Sequence, residues 1–526
     1  MGIHYLYDNH SQLVTGMHKF LAMLLCSCIA FYSGAQIIPA EGAHLNYRLV
    51  GFSVPSKAKT SKYKVEIATG NYSADDAFSA HITNSASGEQ NKLIAEVPAF
   101  GAEYTWRVVY TSTKSTETKS TLHHFSTVAV HDMDTSVMRM RVTKTDPKYS
   151  NSYFFVDATR GMYDMNGQPV WYVPSLKGVR DEDLKEIRYI KITPQGTITF
   201  LLLEKAFEIN YQGDILWQTP DNGKVSGDSI EHYHHEFTRL NDGNYLVLGK
   251  EYVLWKLPTP LDSAMYHRSG MDMNPNVLWD SIRKALFIRM EFGTIIEYDK
   301  AGNVIWSWKS TSYFKQPDSK YGLRGMAKFF DTHENSLYFD EKEKMMYLGF
   351  RNLSEVLKIK YPEGNVISTY KNFSREANPR MGNLLYCYQH AVKEAQDGSL
   401  YLFDNNICSL GAPAEIVMLQ QPDSATGGLK KTWAFDCPLP AARSTTPIQF
   451  VAGGNVTELP NHDIFAAQYG DLYCNLFIVS KDKRILWNAY PEKWNPDDHS
   501  WDGIDMYRAS IVPGQKQVEQ LIWHEK

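Results

Sequence analysis

One pattern constrains this chain more than any other. A turn with a glycine, two or three apolar residues and a tryptophan recur at Asn166-Gly167-Gln168-Pro169-Val170-Trp171, Gln212-Gly213-Asp214-Ile215-Leu216-Trp217 and Ala301-Gly302-Asn303-Val304-Ile305-Trp306. Looser copies follow at Glu363-Gly364-Asn365-Val366-Ile367, Gly428-Leu429-Lys430-Lys431-Thr432-Trp433 and Lys483-Arg484-Ile485-Leu486-Trp487. Trp279 stands too close to Trp306 to head a unit of its own and reads as part of an insertion. Later copies are each preceded by a second turn, as in Leu240-Asn241-Asp242-Gly243, Ala395-Gln396-Asp397-Gly398 and Leu459-Pro460-Asn461-His462. Two hairpins per unit, six times over, predict an all-β chain whose residues 128–526 form a six-bladed β-propeller. The units exceed the ~40–45 residues of the commonest propeller repeat, so long loops are expected on one face. A double β-sandwich is the competing architecture, and the regular repetition weighs against it.

Upstream, residues 36–127 alternate apolar and polar between turn signals, as in Tyr63-Lys64-Val65-Glu66-Ile67 and Tyr104-Thr105-Trp106-Arg107-Val108. Short strands at that spacing predict a small β-sandwich similar to fibronectin type III and immunoglobulin-like modules. Before it, Met17-His18-Lys19 opens a basic stretch, Phe20 to Tyr32 is apolar, and Ser33-Gly34-Ala35 offers small residues for cleavage. Residues 1–35 are therefore expected to be a signal peptide started at Met17, making the protein exported or periplasmic. Cys28 offers a lipid-anchor alternative. The apolar run falls short of the ~20 residues a membrane span needs, and no other segment approaches it.

At 526 residues, with 43% hydrophobic and 13% aromatic residues, the chain has the composition of packed globular domains. Its net charge of −5 with interspersed signs excludes a basic face for nucleic acid. Once the leader is removed, Cys387, Cys408, Cys437 and Cys474 remain; they show no zinc-ribbon spacing, and their pairing is open.

Counting back seven residues from the turn aspartates gives histidine in three successive units: His235 before Asp242, His333 before Asp340 and His390 before Asp397. In the last unit the same count from Asn461 reaches Gly454. Equal register in equivalent strands implies equal direction, so the three imidazoles are expected to converge on the channel. A single strand histidine is usually a surface or satisfied core residue, but with 17 histidines in the whole chain a triple match points to a site. A one-residue slip would exchange His234 for His235. Asn335, two residues after His333, is expected on the same strand face, and Arg351 at the end of the following strand. An arginine beside histidines suits a planar oxyanion.

At these residues the chain resembles the bacterial arylsulfotransferases, which move sulfuryl groups between phenols without a nucleotide sulfate donor. The matching segments are His234-His235-Glu236-Phe237, His333-Glu334-Asn335-Ser336, Arg351 through Val356, and Gln389-His390-Ala391 with Leu402-Phe403-Asp404-Asn405. Glu236 stands where the family commonly has Asp. The resemblance implies His390 as a nucleophile that becomes a transient sulfohistidine. It gives His235, His333 and Arg351 the sulfuryl and bridging oxygens, with Asn335 assisting. Tyr388 and Phe350 are candidates to flank the substrate ring, with His234 and Tyr388 taken as substrate-binding residues. The implied partners are small aryl sulfates and phenols, with no cofactor and no metal; a homodimer is left open.

Two other functions compete. Three convergent histidines also suit a metal with an open position, as in a propeller hydrolase or lyase, although no carboxylate repeats the register and Arg351 would repel a cation. A non-catalytic propeller that binds ligands on its loops is the third.

Overall fold

The computed structural model describes residues 37–256, 267, 275–314, 331–372, 384–409, 412–423, 427–438, 453–469 and 474–524. The expected leader, residues 1–35 with Met17 and Cys28, lies outside the described residues. The chain is all-β, and among the described residues the helices are short, as in Asp75–Ala80 and Gln515–Ile522. Among the described residues no helix is long and apolar enough to cross a membrane. Two compact units emerge: one includes Gly51–Ala95 and Glu103–Phe125, the other His44–Val50, Glu96–Ala102 and Ser126 onward.

In the first unit the long strands Thr60–Thr69 and Glu103–Ser112 pair antiparallel, with Ile82–Gly88 on the outer edge of the former. Their alternation buries Val65, Ile67, Trp106 and Val108. Phe52 packs its ring 4.9 Å from that of Trp106.

The second unit is built of six antiparallel sheets, each of at least four strands. Four are made from consecutive strands. One of the others joins Tyr153–Val156, Gly161–Asp164 and Pro169–Tyr172 to the C-terminal strand Ala509–Val512, and in the other Met138–Lys144 pairs with Ile485–Asn495. Middle strands such as Ile198–Leu202, Ile464–Gln468 and Asn475–Val479 are buried throughout, because both of their faces are covered. Outer strands such as Val304–Lys309 show exposed positions in alternation. Six edge strands, one per sheet, follow one another as neighbours: Ile187–Ile192, His232–Arg239, Glu334–Asp340, His390–Glu394, Asn455–Glu458 and Ala509–Val512, the last lying beside the first. The succession is closed.

All six copies of the sequence repeat sit on the fourth strand of a sheet: Trp171, Trp217, Trp306, Ile367, Trp433 and Trp487. Several of the indoles donate to a turn carbonyl of the next sheet. Trp171 reaches Tyr211 (2.7 Å), Trp306 reaches Pro362 (2.8 Å) and Trp433 reaches Lys481 (2.8 Å). Trp487 of the last sheet donates to Met165 of the first at 2.8 Å. The glycine turn thus exposes a carbonyl, and the tryptophan of the preceding sheet satisfies it. Trp279 lies on Val277–Asp280, an added strand alongside the long strand Ala285–Tyr298, which agrees with its reading as an insertion.

Candidate active site

Strict alternation fails in the edge strands where the site forms. Register shifts interrupt the strands beginning at Ile187, His232, Glu334 and His390. A left-handed residue stands within three of the breaks, Tyr189 (φ 54°), His235 (56°) and Ala391 (52°), and His333 (55°) stands just before the fourth. Non-glycine residues in this region cost about 1 kcal/mol or more each and cluster at functional sites. The equal seven-residue offsets therefore do not make the three histidines equivalent. His235 and His333 are themselves the left-handed residues, whereas His390 sits one position before Ala391. Gly454, reached by the same count in the last unit, has φ 96°, and a Cβ there would lie 2.4 Å from the Phe403 ring. No histidine fits at that position.

The rings of His235 and His333 nonetheless meet edge to face, with centroids 5.2 Å apart. The His234 ring stands perpendicular to that of His235 at 4.8 Å, and their Nδ1 atoms are 2.6 Å apart. His234 Nε2 donates to the Gly249 carbonyl at 3.1 Å. Sequence left either His234 or His235 to face the site; the two instead form a pair. Burial pushes His234 down to about 3, with Lys250 and His333 adding to the effect. Burial, then the neighbouring His234, His333, Arg508 and His390, holds His235 well below the usual imidazole range. His333 keeps a side-chain exposure of 30% and lies 3.7 Å from Asp331.

His390 is only 1% exposed. Its Nδ1 is 2.5 Å from Asn405 Oδ1, while Asn405 Nδ2 donates to the Gly453 carbonyl at 3.2 Å. The amide oxygen accepts, so the proton of His390 sits on Nδ1 and the lone pair on Nε2. That lone pair accepts the Gly453 N–H at 3.1 Å. Burial first, then Arg508, Arg351 and His333, lowers His390 well below its ordinary value, against a smaller opposing effect from Asn405.

The sheet that begins with Glu334–Asp340 holds the segment that carries His390. Asn335 Nδ2 donates to the Gln389 carbonyl at 2.8 Å, Gln389 Nε2 donates to the Phe350 and Glu355 carbonyls, and Tyr388 N donates to Ser354 Oγ. A disulfide joins Cys387 to Cys408, while Cys437 and Cys474 are buried outside any disulfide. Arg351 follows its strand as expected; its N–H donates to the His333 carbonyl at 2.9 Å, and its guanidinium lies 5.0 Å above the Tyr388 ring. Phe350 departs from expectation: it is fully buried and packs on Phe314 at 5.3 Å, so it belongs to the core and does not flank a substrate.

Sequence reasoning missed Arg508. Its side chain is wholly buried, donating from NH1 to the His235 carbonyl (3.0 Å) and Glu236 (2.7 Å), and from NH2 to the Asn335 carbonyl (2.8 Å). Glu236 also takes Lys191 at 3.1 Å. A buried charge needs such pairing to be tolerated. No signal near residue 508 betrays this, because its partners are 173 to 273 positions away.

The assembly sets the neutral imidazoles of His234, His235 and His390, together with His333, beside two arginines. Among the described residues no three His, Cys, Asp or Glu side chains are grouped to hold a metal. Both nitrogens of His390 are already hydrogen-bonded, and the arginines make the site electropositive. It suits an anion that is attacked by a nitrogen lone pair.

Comparison with known proteins agrees with this chemistry. Residues 289–422 match the family model Arylsulfotransferase (ASST), a span that contains His333, Asn335, Arg351 and His390. No curated protein matches the chain in sequence. Among solved structures it is similar to a protein of unknown function from Bacteroides caccae (13% identity, 67% of this chain and 93% of that one, TM-score 0.36). It is also similar to a luciferin-regenerating enzyme (10%, 70% and 99%, 0.35) and to apo AztD from Citrobacter koseri (8%, 86% and 99%, 0.30). The stretch that carries most of the site, residues 289–422, is thus the one that matches the arylsulfotransferase family.

Proposed function

We propose that this protein is an aryl-sulfate sulfotransferase that carries the sulfuryl group on His390. Its six sheets are read as the blades of a propeller over residues 128–526, preceded by a β-sandwich over 36–127, the whole being exported. The observation that carries the reading is the state of the His390 ring. A neutral imidazole with its proton fixed on Nδ1 by Asn405 has one reactive lone pair, at Nε2, in an electropositive cavity.

Attack by Nε2 on the sulfur of an aryl sulfate forms an N–S bond. The S–O bond to the aryl group breaks, and its electron pair leaves on the phenolate oxygen. An acceptor phenol reverses these changes and restores the ring. Such transfers pass through loose transition states with charge on the equatorial oxygens, so positioning and electrostatic stabilisation dominate. The Arg351 guanidinium and His333 face those oxygens, His235 faces the bridging oxygen, and Tyr388 lies under Arg351 against the aryl ring. Asn335 acts by holding the Gln389 carbonyl and thereby the His390 backbone. The Gly453 N–H must release Nε2 before attack, at a net cost of about 1 kcal/mol.

The test is turnover of 4-nitrophenyl sulfate with a phenolic acceptor. The protein is expected to release 4-nitrophenol with ping-pong kinetics, and His390→Ala to abolish release while leaving the melting temperature within a few degrees. Unchanged turnover in that variant removes the assignment.

A further inference from the structure

The hydrogen-bond directions around His234 and His235 fix more than their positions. The Gly249 carbonyl can only accept, so the His234 proton is on Nε2 and its Nδ1 is bare. Across 2.6 Å, two bare Nδ1 lone pairs would repel each other, so His235 must carry its proton on Nδ1. That leaves His235 Nε2 with a lone pair. Among the described residues no hydrogen bond to this atom is made, in contrast to the Nε2 of His390, which is capped by Gly453. The two rings therefore have different duties. One lone pair is held in reserve under a backbone N–H; the other has no such cap, on a ring 5.2 Å from His333 and 6.0 Å from Tyr507.

We propose that His234 is a positioning residue which sets the tautomer of His235, so that His235 Nε2 takes the proton of the acceptor phenol. The proposal rests on the sulfohistidine reading above and deepens its second half. In that step the phenol O–H proton moves to His235 Nε2 while the phenol oxygen forms its bond to sulfur. The S–Nε2 bond to His390 breaks, and its electron pair returns to that nitrogen. His235 becomes an imidazolium whose Nδ1–H still donates to the bare Nδ1 of His234, a charge-assisted bond that stabilises the cation as it forms. By reversal, the same proton serves a basic leaving phenolate in the first half. A 4-nitrophenolate needs no such help.

This asymmetry supplies the test. The full-length protein is mixed with 4-nitrophenyl sulfate alone, and the burst of nitrophenolate reports the first half. Turnover is then measured with unactivated phenol and with a more acidic halophenol. His234→Leu is expected to leave the burst rate within about twofold of wild type. Turnover with phenol should fall by about 100-fold, the lower end of what general base catalysis contributes. The halophenol should lose about tenfold or less. His234→Asn, whose amide oxygen can accept where Nδ1 did, should keep the wild-type profile, and His235→Ala, which removes the base itself, should lose turnover with phenol at least as far as His234→Leu does. An equal loss in the burst and with both acceptors, or no loss in His234→Leu, overturns the proposal. Should His234→Leu fail to fold, His235→Ala and His234→Asn must still divide in this way. If the wild-type protein shows no burst, the sulfohistidine reading itself fails, and the proposal falls with it.

Discussion

A histidine acts as a nucleophile only in its neutral form, and its second ring atom decides which nitrogen is free. Here Asn405 makes that choice for His390, and a neutral amide was needed for it. A carboxylate in the same place would favour the imidazolium. Since burial and the two arginines hold His390 well below its usual value, the acid limb of the kcat/KM profile is expected below pH 6.5. Activity should be lost as pH falls through that limb, where the ring gains its proton. Asn405→Asp raises the tendency of the ring to protonate, so its limb should move to higher pH. A pH profile of 4-nitrophenyl sulfate turnover checks both, and a limb that stays in place contradicts the role given to Asn405. His333, Arg351 and His390 were legible in the sequence because their residue types and offsets survive in it. Their protonation states were not, since Asn405, Gly453 and Gly249 act through a side chain and backbone atoms whose directions no spacing encodes.

Edge strands that follow one another in a closed succession face a steric problem that ordinary alternation cannot solve. Left-handed residues at Tyr189, His235, His333 and Ala391 turn the chain there and redirect the side chains next to each break. Gly454 marks the corresponding place before Asn455–Glu458, and its missing side chain makes room for Phe403, which pairs with His390 across the sheet. Gly454→Ala adds a methyl group in a strained conformation and into that ring. It is expected to cost about 3 kcal/mol in a denaturant melt and to lower turnover by displacing His390. Unaltered stability would mean that the strand relaxes freely at this point. The counting rule on turn aspartates picked out histidines that the fold brings near one another, yet the direction it implied does not follow from alternation, because a bulge shifts register by one where it occurs. Phe350 shows the same limit. Its neighbour Arg351 reaches the site, while Phe350, one residue earlier on a regular strand, faces the core.

Across the whole second unit, the repeated tryptophan does at long range what capping does at a helix end. The indoles of Trp171, Trp306, Trp433 and Trp487 each satisfy a carbonyl in the next sheet, and Trp487 carries the series from the last sheet to the first. The C-terminal strand Ala509–Val512 completes the first sheet, and Arg508 just before it ties together the backbones of His235 and Asn335 from two other sheets. The repeat itself was legible because it recurs at the surface end of every sheet. Arg508 was not, because a residue that joins sheets through carbonyls needs only to be long, charged and in the right place. Closure of the sheets and the anchoring of His235 and Asn335 thus share one residue, and the covalent chemistry on His390 is the claim on which the proposed function depends. It is tested most directly by mixing the protein with 4-nitrophenyl sulfate without acceptor, quenching within the burst under alkaline conditions and mapping peptides by mass. The account predicts an acid-labile adduct of ~80 Da on the peptide that carries His390, discharged by added phenol. An adduct on the His235 peptide, or none during a full burst, would contradict it.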